Sequence, residues 1–374
     1  MQTNISYERY QRQMILPDFG EQGQQRLSAA SVLVIGAGGL GCPVLQYLAA
    51  AGVGTIGIID GDTVSLSNLH RQVLFTIDDI GKNKAVTAAV HLRRLNPQIT
   101  ILSYPENATT ENILTLLSSF NIVIDGSDNF ATRYMINDAC VLMNKILVYG
   151  AVSRFEGQVA VFNYPLEQET RSANYRDLFP EPPKENEVLN CADAGVIGVL
   201  PGMIGSMQAG EAIKLITAIG SSLFNQVLTY NVMTNQLFTL KITAKQHTVS
   251  LIPATEDVFR QTDYAWLCSS PISVNEINAA AFDLLIQQNN IDVVDVREIH
   301  EIPTVNEFQH LHIPLAKMKT AFEQLKNDTV VVFCQSGKRS RQAVQLLSEQ
   351  FGDRKTLYSL KGGILAWKDF CQKK

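Results

Sequence analysis

The run Ser31-Val-Leu-Val-Ile-Gly36-Ala-Gly38-Gly39-Leu40-Gly41 decides the fold of this 374-residue chain. An apolar strand runs straight into a glycine-rich turn, and Leu40 to Ala51 continues as a helix. Glycines let a backbone approach a phosphate closely, and a helix N-terminus supplies N–H donors and positive potential. Asp60 ends the next strand, Thr55-Ile-Gly-Ile-Ile-Asp60, where a carboxylate can accept both ribose hydroxyls. Taken alone, this pattern suits NAD, FAD or ATP equally.

Outward from this turn, short β-branched runs alternate with amphipathic segments. Strands are expected at Ile99 to Leu102, Asn121 to Asp125 and Ile146 to Gly150, with helices at Lys82 to Leu95, Thr109 to Ser118 and Phe130 to Met143. Strands apolar throughout and separated by helices are covered on both faces, so a parallel, doubly wound α/β sheet follows. Gln158 to Phe162, Val227 to Tyr230 and Gln236 to Ile242 resemble antiparallel additions, which makes the sheet mixed. A helix from about Pro201 to Ile219 lies among them, and residues 165–190, polar and proline-containing, read as a mobile loop.

Residues 246–271 read as a linker between a first domain, 1–245, and a smaller α/β domain, 272–374. In the second, helices are expected at Val274 to Gln287, Ala316 to Leu325 and Ser340 to Gln350, with strands at Asp292 to Val296 and Thr329 to Phe333.

A composition of 46% hydrophobic and 18% charged residues is that of a globular protein with filled interiors. The net charge of −5, with no charged block, argues against nucleic-acid binding. Val196 to Ile219 is interrupted by Gly, Pro, Glu211 and Lys214, so no membrane span is expected, and the N-terminus lacks a signal-like apolar core. The chain is expected in the cytoplasm. None of the cysteines, at 42, 140, 191, 268, 334 and 371, forms a Cys-x-x-Cys pair. Cys42 and Cys140 sit in apolar helices and read as packing residues.

The segment after Asp60 separates the nucleotides. Asp62-Thr-Val-Ser-Leu-Ser67-Asn68-Leu69-His70-Arg71-Gln72 places polar and cationic groups beside the ribose carboxylate. A dehydrogenase needs only the ribose contact there. Attack of a carboxylate on an α-phosphate gathers negative charge, which calls for cations, amide donors and a divalent metal with its ligand. Arg71, Asn68 and Lys84 suit the anion, and Asp128, in Asp125-Gly-Ser-Asp128-Asn129, suits the metal. Lys84 could equally be an exposed helix-start lysine, and Asp128 a helix cap.

The glycine run, Asp60 to Gln72, Lys84 and Asp128-Asn129 together resemble the adenylation domain of molybdopterin-synthase adenylyltransferase, its thiamine-pathway counterpart and ubiquitin-activating enzymes, over about Tyr7 to Ile242. The resemblance implies that Gly39, Gly41, Asp60, Ser67, Asn68, Leu69, His70, Arg71, Lys84, Asp128 and Asn129 bind ATP and Mg²⁺. In Arg9-Tyr-Gln-Arg12-Gln13 it makes Arg12 a finger reaching the partner's triphosphate, hence a homodimer. Otherwise Arg9 and Arg12 read as a solvated helix face. It also makes Cys191, in Asn190-Cys191-Ala-Asp193, a thiol that receives the activated carrier; the bland reading is a buried helix-entry cysteine. Many relatives bind a structural zinc through two Cys-x-x-Cys pairs. Here Asn174 and Asp177 stand where cysteines would, so no zinc site is expected.

In Val330-Val-Val-Phe333-Cys334-Gln-Ser-Gly337-Lys338-Arg339-Ser340 a thiol stands between a buried strand and a helix. Loop N–H groups, the helix dipole, Lys338 and Arg339 favour a thiolate. The interval to Arg339 is one shorter than in cysteine phosphatases, which leaves room for a persulfide. Together with Asp295-Val-Arg297, His310-Leu-His312-Ile-Pro314 and Lys361-Gly362-Gly363, this resembles a rhodanese domain with Cys334 as persulfide carrier.

The resulting expectation is ATP-dependent adenylation of the C-terminal glycine of a small ubiquitin-like, Gly-Gly-ended sulfur carrier. Sulfur from thiosulfate or a cysteine desulfurase then passes through the persulfide to give a thiocarboxylate. The rhodanese fusion favours the molybdopterin-synthase or tRNA-thiolation branch over thiamine synthesis. A non-catalytic nucleotide-binding interaction module is the alternative of another class. An NAD-dependent oxidoreductase lacks an identifiable acid–base pair.

Overall fold

The apolar runs flanking the glycine turn become neighbouring strands. In the computed structural model β1 (Ser31–Ile35) pairs in parallel with β2 (Thr55–Ile59) on one side and β4 (Ile122–Asp125) on the other. β3 (Thr100–Tyr104) extends the sheet beyond β2, and β5 (Ile146–Ser153) beyond β4. The order β3-β2-β1-β4-β5 turns back on itself between β1 and β4, the switch point where open α/β sheets bind ligands. β5 also pairs antiparallel with β6 (Glu156–Phe162). β7 (Gln226–Asn231) and β8 (Gln236–Lys241) follow antiparallel, making eight strands.

Along β1, Val32 and Val34 enter one core with Leu45, Leu48 and Ala88, while Leu33 and Ile35 enter the other with Leu117 and Ile136. Both faces are covered by helices, which is why these strands lack a polar alternation. Helices Gly41–Ala51 and Lys84–Leu95 lie on the first face, and Ile113–Ser118 and Phe130–Leu142 on the second.

The structure describes residues 7–167, 170–182, 195–264, 274–287 and 290–373. It divides into two compact units, 1–269 and 270–374. Part of the stretch expected to be a mobile loop is anchored instead. Helix Tyr175–Leu178 buries Tyr175, Arg176 and Asp177, and Arg176 forms an ion pair with buried Asp138 at 2.7 Å. Within the expected linker, two short helices, Gln246–Val249 and Glu256–Gln261, form. Phe259 and Tyr264 then enter the core of the first unit, a tertiary attachment that local pattern does not reveal.

The second unit has β9 (Glu276–Ile277), β10 (Ile291–Asp295), β11 (Leu311–His312), β12 (Thr329–Phe333) and β13 (Thr356–Leu360) in the parallel order β11-β10-β12-β13-β9. The helix expected from Val274 begins only at Ala279, because Asn278 caps it by accepting the Ala281 N–H at 2.8 Å and Glu276–Ile277 joins the sheet. The expected helix Ala316 to Leu325 is two tight 3₁₀ turns, Leu315–Thr320 and Phe322–Gln324. No helix among the described residues is long and apolar enough to cross a membrane.

Candidate active sites

The C-terminal ends of β1, β2 and β4 open onto a cavity of about 430 Å³. The glycine turn forms its floor, and each glycine has its own reason to be there. A side chain on Gly41 would place Cβ 1.9 Å from the Gly36 carbonyl oxygen, so Gly41 serves the close approach of helix and turn. Gly41 does not border the cavity. At Gly38 the nearest atom to a Cβ is the Gln72 Nε2, 3.8 Å away, which leaves this peptide open to a ligand.

Asp60 does two things at once. Its Oδ2 accepts the Ala37 N–H at 2.7 Å and its Oδ1 the Asp62 N–H at 2.9 Å, tying the glycine turn to β2. Each oxygen keeps acceptor capacity for a hydroxyl. Burial pushes its carboxyl above the ordinary range, against the pull of Lys84 and the two N–H groups.

Lys84, Arg71 and Asp128 also line the cavity. Lys84 opens a helix capped by Asn83, whose Oδ1 accepts the Val86 N–H at 3.0 Å. Its ammonium lies 2.8 Å from Asp62 Oδ2. Arg71 donates to Ser67 O at 3.1 Å and stands 2.7 Å from His70 Nε2. Ser67, Asn68, Leu69 and His70 do not border the cavity. They build the turn that aims Arg71, with Asn68 Oδ1 accepting the Ser65 N–H at 3.1 Å. The cap of helix Phe130–Leu142 is Asn129, whose Oδ1 accepts the Thr132 N–H at 2.9 Å. Asp128 is thereby left exposed toward the cavity, with no hydrogen bond among the described residues.

Sequence reasoning missed Arg133 here and gave no individual role to Asp62 and Gln72, although their segment was singled out; all three line the cavity. Arg133 is buried one helical turn past Asn129 and donates to Ser127 O at 3.3 Å. That helical spacing was the available signal. Buried Asp125 accepts the Ser127 N–H at 2.8 Å and its hydroxyl at 2.6 Å, bracing the turn that presents Asp128. Arg12 is exposed on helix Tyr7–Met14, away from the cavity of its own chain.

The segment leading into Lys84 is held by Asp79. Burial pushes this carboxyl up, but the Thr76 N–H at 2.9 Å, the His91 ring at 2.9 Å and the Thr76 hydroxyl outweigh it and hold its pKa at about 2. A depressed carboxyl stabilises fully above its unfolded value near 3.9, and the contribution is lost as pH falls through about 2. Asp79→Asn should therefore lower stability by about 1–2 kcal/mol at pH 6. The gap to wild type should close toward pH 2, as read by denaturant midpoints across pH.

In the second unit Cys334 follows β12, and its thiol is fully buried. The Gly337 N–H donates to Sγ at 3.2 Å, and Ser340 Oγ lies 3.7 Å from it. Gly337 has φ +92°, a conformation suited to glycine. The Ile364 N–H donates to Cys334 O at 2.8 Å, and a Cβ on Gly363 would lie 2.5 Å from that oxygen. The Gly362-Gly363 pair is thus a packing requirement of the thiol turn. Arg339, expected to act on the thiol, forms a bidentate pair with Glu301, Nη1 to Oε1 at 2.5 Å and Nη2 to Oε2 at 2.7 Å. Asp295 holds Arg297 through Nε at 2.9 Å and Nη2 at 2.6 Å, and Arg297 pins Pro303 O at 2.8 Å, fixing the turn that carries Glu301.

Burial pushes the Cys42 thiol up to about 12 and raises that of Cys140. Both are inert packing groups. Cys191 and Cys268 lie outside the described residues.

Residues 10–251 match the ThiF family and residues 278–370 the rhodanese-like domain. The chain is 36% identical to the adenylyltransferase and sulfurtransferase MOCS3 of Xenopus laevis, over 98% of this chain and 87% of that protein. It is 38% identical to the probable adenylyltransferase/sulfurtransferase MoeZ of Mycobacterium tuberculosis, over 96% and 92%. Over 231 residues it is 51% identical to the sulfur carrier protein adenylyltransferase of Thermus thermophilus, covering 62% of this chain and 85% of that protein. The crystal structure of E. coli MccB with MccA-N7isoASN shares the fold at a TM-score of 0.55 and 23% identity, over 65% of this chain and 73% of that one.

A nucleotide-type cavity and a thiol turn on one chain, with these relatives, define an adenylyltransferase joined to a sulfurtransferase. The chain belongs to the ThiF family and carries a C-terminal rhodanese-like domain.

Proposed function

We propose that the first unit adenylates the C-terminal glycine of a small ubiquitin-like sulfur carrier, and that Cys334 supplies the sulfur for a thiocarboxylate of the molybdopterin-synthase type. The observation that carries this reading is the cavity that collects an open glycine peptide, Lys84, Arg71 and an Asp128 with no hydrogen bond among the described residues. A carrier carboxylate oxygen attacks the α-phosphorus of ATP as the bond to pyrophosphate breaks. Lys84 and Arg71 face the charge that develops along the triphosphate. Asp60 takes the ribose.

Asp128 fits Mg²⁺, being an exposed carboxylate beside those cations with no protein partner among the described residues. The ion, when bound, neutralises the departing pyrophosphate. The terminal sulfur of a Cys334 persulfide then attacks the acyl carbon and AMP leaves, giving an acyl disulfide. A second thiol, assigned to Cys191, opens it to the thiocarboxylate and a disulfide between the two thiols.

A homodimer is supported by exposed apolar side chains of the first unit. Ile15, Leu66, Val73 and Ile77 are 60%, 69%, 65% and 72% exposed, and Arg12 stands nearby in sequence to reach a partner's site.

The segments that the family resemblance would staple with zinc are joined here by hydrogen bonds. Asp177 Oδ2 accepts the Asn174 N–H at 2.8 Å, while Oδ1 accepts the Lys245 N–H at 2.9 Å and the Thr248 hydroxyl. The pair of segments that four thiolates would join is thus joined by one carboxylate. The expected result is no stoichiometric zinc by elemental analysis, and a stability loss of about 2–3 kcal/mol in Asp177→Ala, because buried donors lose their acceptor. About one tightly bound zinc per chain would overturn this.

ATP–pyrophosphate exchange with a Gly-Gly-ended carrier tests the whole reading. The small protein that copurifies with the chain separates molybdopterin, thiamine and tRNA-thiolation branches. A mere interaction module would show no exchange with any carrier.

A further inference from the structure

Asp62 is a cavity residue that neither the glycine motif nor the ribose contact explains. Its backbone is held firmly: the Lys84 N–H donates to Asp62 O at 2.9 Å, and Asn83 Nδ2 donates to the same oxygen at 3.2 Å. Its carboxylate, by contrast, reaches into the cavity. The side chain is 71% exposed, whereas that of Lys84, its partner at 2.8 Å, is 8% exposed. A nearly buried ammonium therefore has as its counter-ion a carboxylate that is free to turn toward solvent.

This arrangement bears on how an anion enters. A polyphosphate reaching Lys84 meets a cation already neutralised, with a second carboxylate, Asp128, also lining the cavity. Negative charge can approach only if Asp62 gives up the ammonium. Having done so, Asp62 would face the polyphosphate as an uncompensated anion, a costly state unless a cation joins it. Both demands are met if nucleotide and a divalent cation enter together.

We propose that Asp62 is a placeholder for the nucleotide: it neutralises Lys84 in the free site, hands the ammonium to the phosphates, and then turns to the cation that accompanies them. Asp62 is thereby a positioning residue that couples metal to nucleotide. This inference rests on the nucleotide reading of the cavity.

The test is calorimetric binding of a non-hydrolysable ATP analogue to the full chain, in EDTA and in Mg²⁺, for wild type and Asp62→Asn. The carboxamide keeps the backbone bonds, and Asp62→Ser serves if the first variant misfolds, as judged by its Tm. Without metal the variant should bind about tenfold more tightly than wild type, the scale of removing one close like charge in a partly solvated site. With Mg²⁺ it should bind more weakly than wild type, so the enhancement by metal shrinks at both ends. A variant whose affinity falls equally in EDTA and in Mg²⁺, or does not change, overturns the placeholder role. Wild type that binds no nucleotide under either condition overturns the nucleotide reading instead.

Discussion

Replacing Asp128 with alanine should abolish ATP–pyrophosphate exchange while leaving the fold intact. The fold should survive because Asp128 is exposed and makes no hydrogen bond among the described residues, and because the cap of the following helix is Asn129, not Asp128. The turn itself is braced from beneath by Asp125 and Arg133 through Ser127. The reaction should not survive, since the proposed Mg²⁺ loses its carboxylate beside the leaving pyrophosphate. Removing one electrostatic stabiliser commonly costs about 10²–10³ in rate. Exchange at the wild-type rate in a folded variant would sink the assignment of Asp128. Asn129→Ala makes the converse case: it removes the helix cap, and should lower stability by about 1 kcal/mol before it touches catalysis.

That contrast shows where sequence reading reaches and where it stops. Asp60, Lys84, Arg71 and Asp128 were legible because motif order along a doubly wound sheet places strand ends and helix starts together. Which neighbour each group bonds was not. Asp128 and Asn129 are adjacent and chemically alike, and only backbone direction at the turn decides which one caps. Gly41 looked like a phosphate contact, yet what requires glycine there is the Gly36 carbonyl oxygen.

Pairings distant in sequence were equally hidden. Arg339 lies thirty-eight residues from Glu301, and no local spacing joins them. Their union sets a carboxylate directly against the guanidinium that the sequence placed beside the thiol. Residues 246–264 carried no periodic pattern because a few buried anchors, Phe259 and Tyr264 among them, attach the segment to the core.

The second large effect separates the two thiols. Cys334→Ala should abolish thiosulfate-dependent sulfur transfer and leave ATP–pyrophosphate exchange unchanged. The proposed adenylation site, Asp60, Lys84, Arg71 and Asp128, lies in the first unit, whereas Cys334 belongs to the second. Among the described residues the thiol meets one N–H, from Gly337, and a long approach to Ser340, so alanine leaves little unsatisfied there. Cys191→Ala should also spare exchange but slow thiocarboxylate formation, since it removes the thiol assigned to open the acyl disulfide. The underlying reason is chemical: carboxylate attack on ATP needs cations and Mg²⁺, whereas sulfur transfer needs a nucleophilic thiolate. Exchange and thiocarboxylate yield, measured side by side for both variants, check the division directly. If Cys334→Ala still makes thiocarboxylate from thiosulfate at the wild-type rate, the rhodanese-like domain is not the donor. The adenylate would then be met by a persulfide from another protein, and the fusion would serve proximity rather than chemistry.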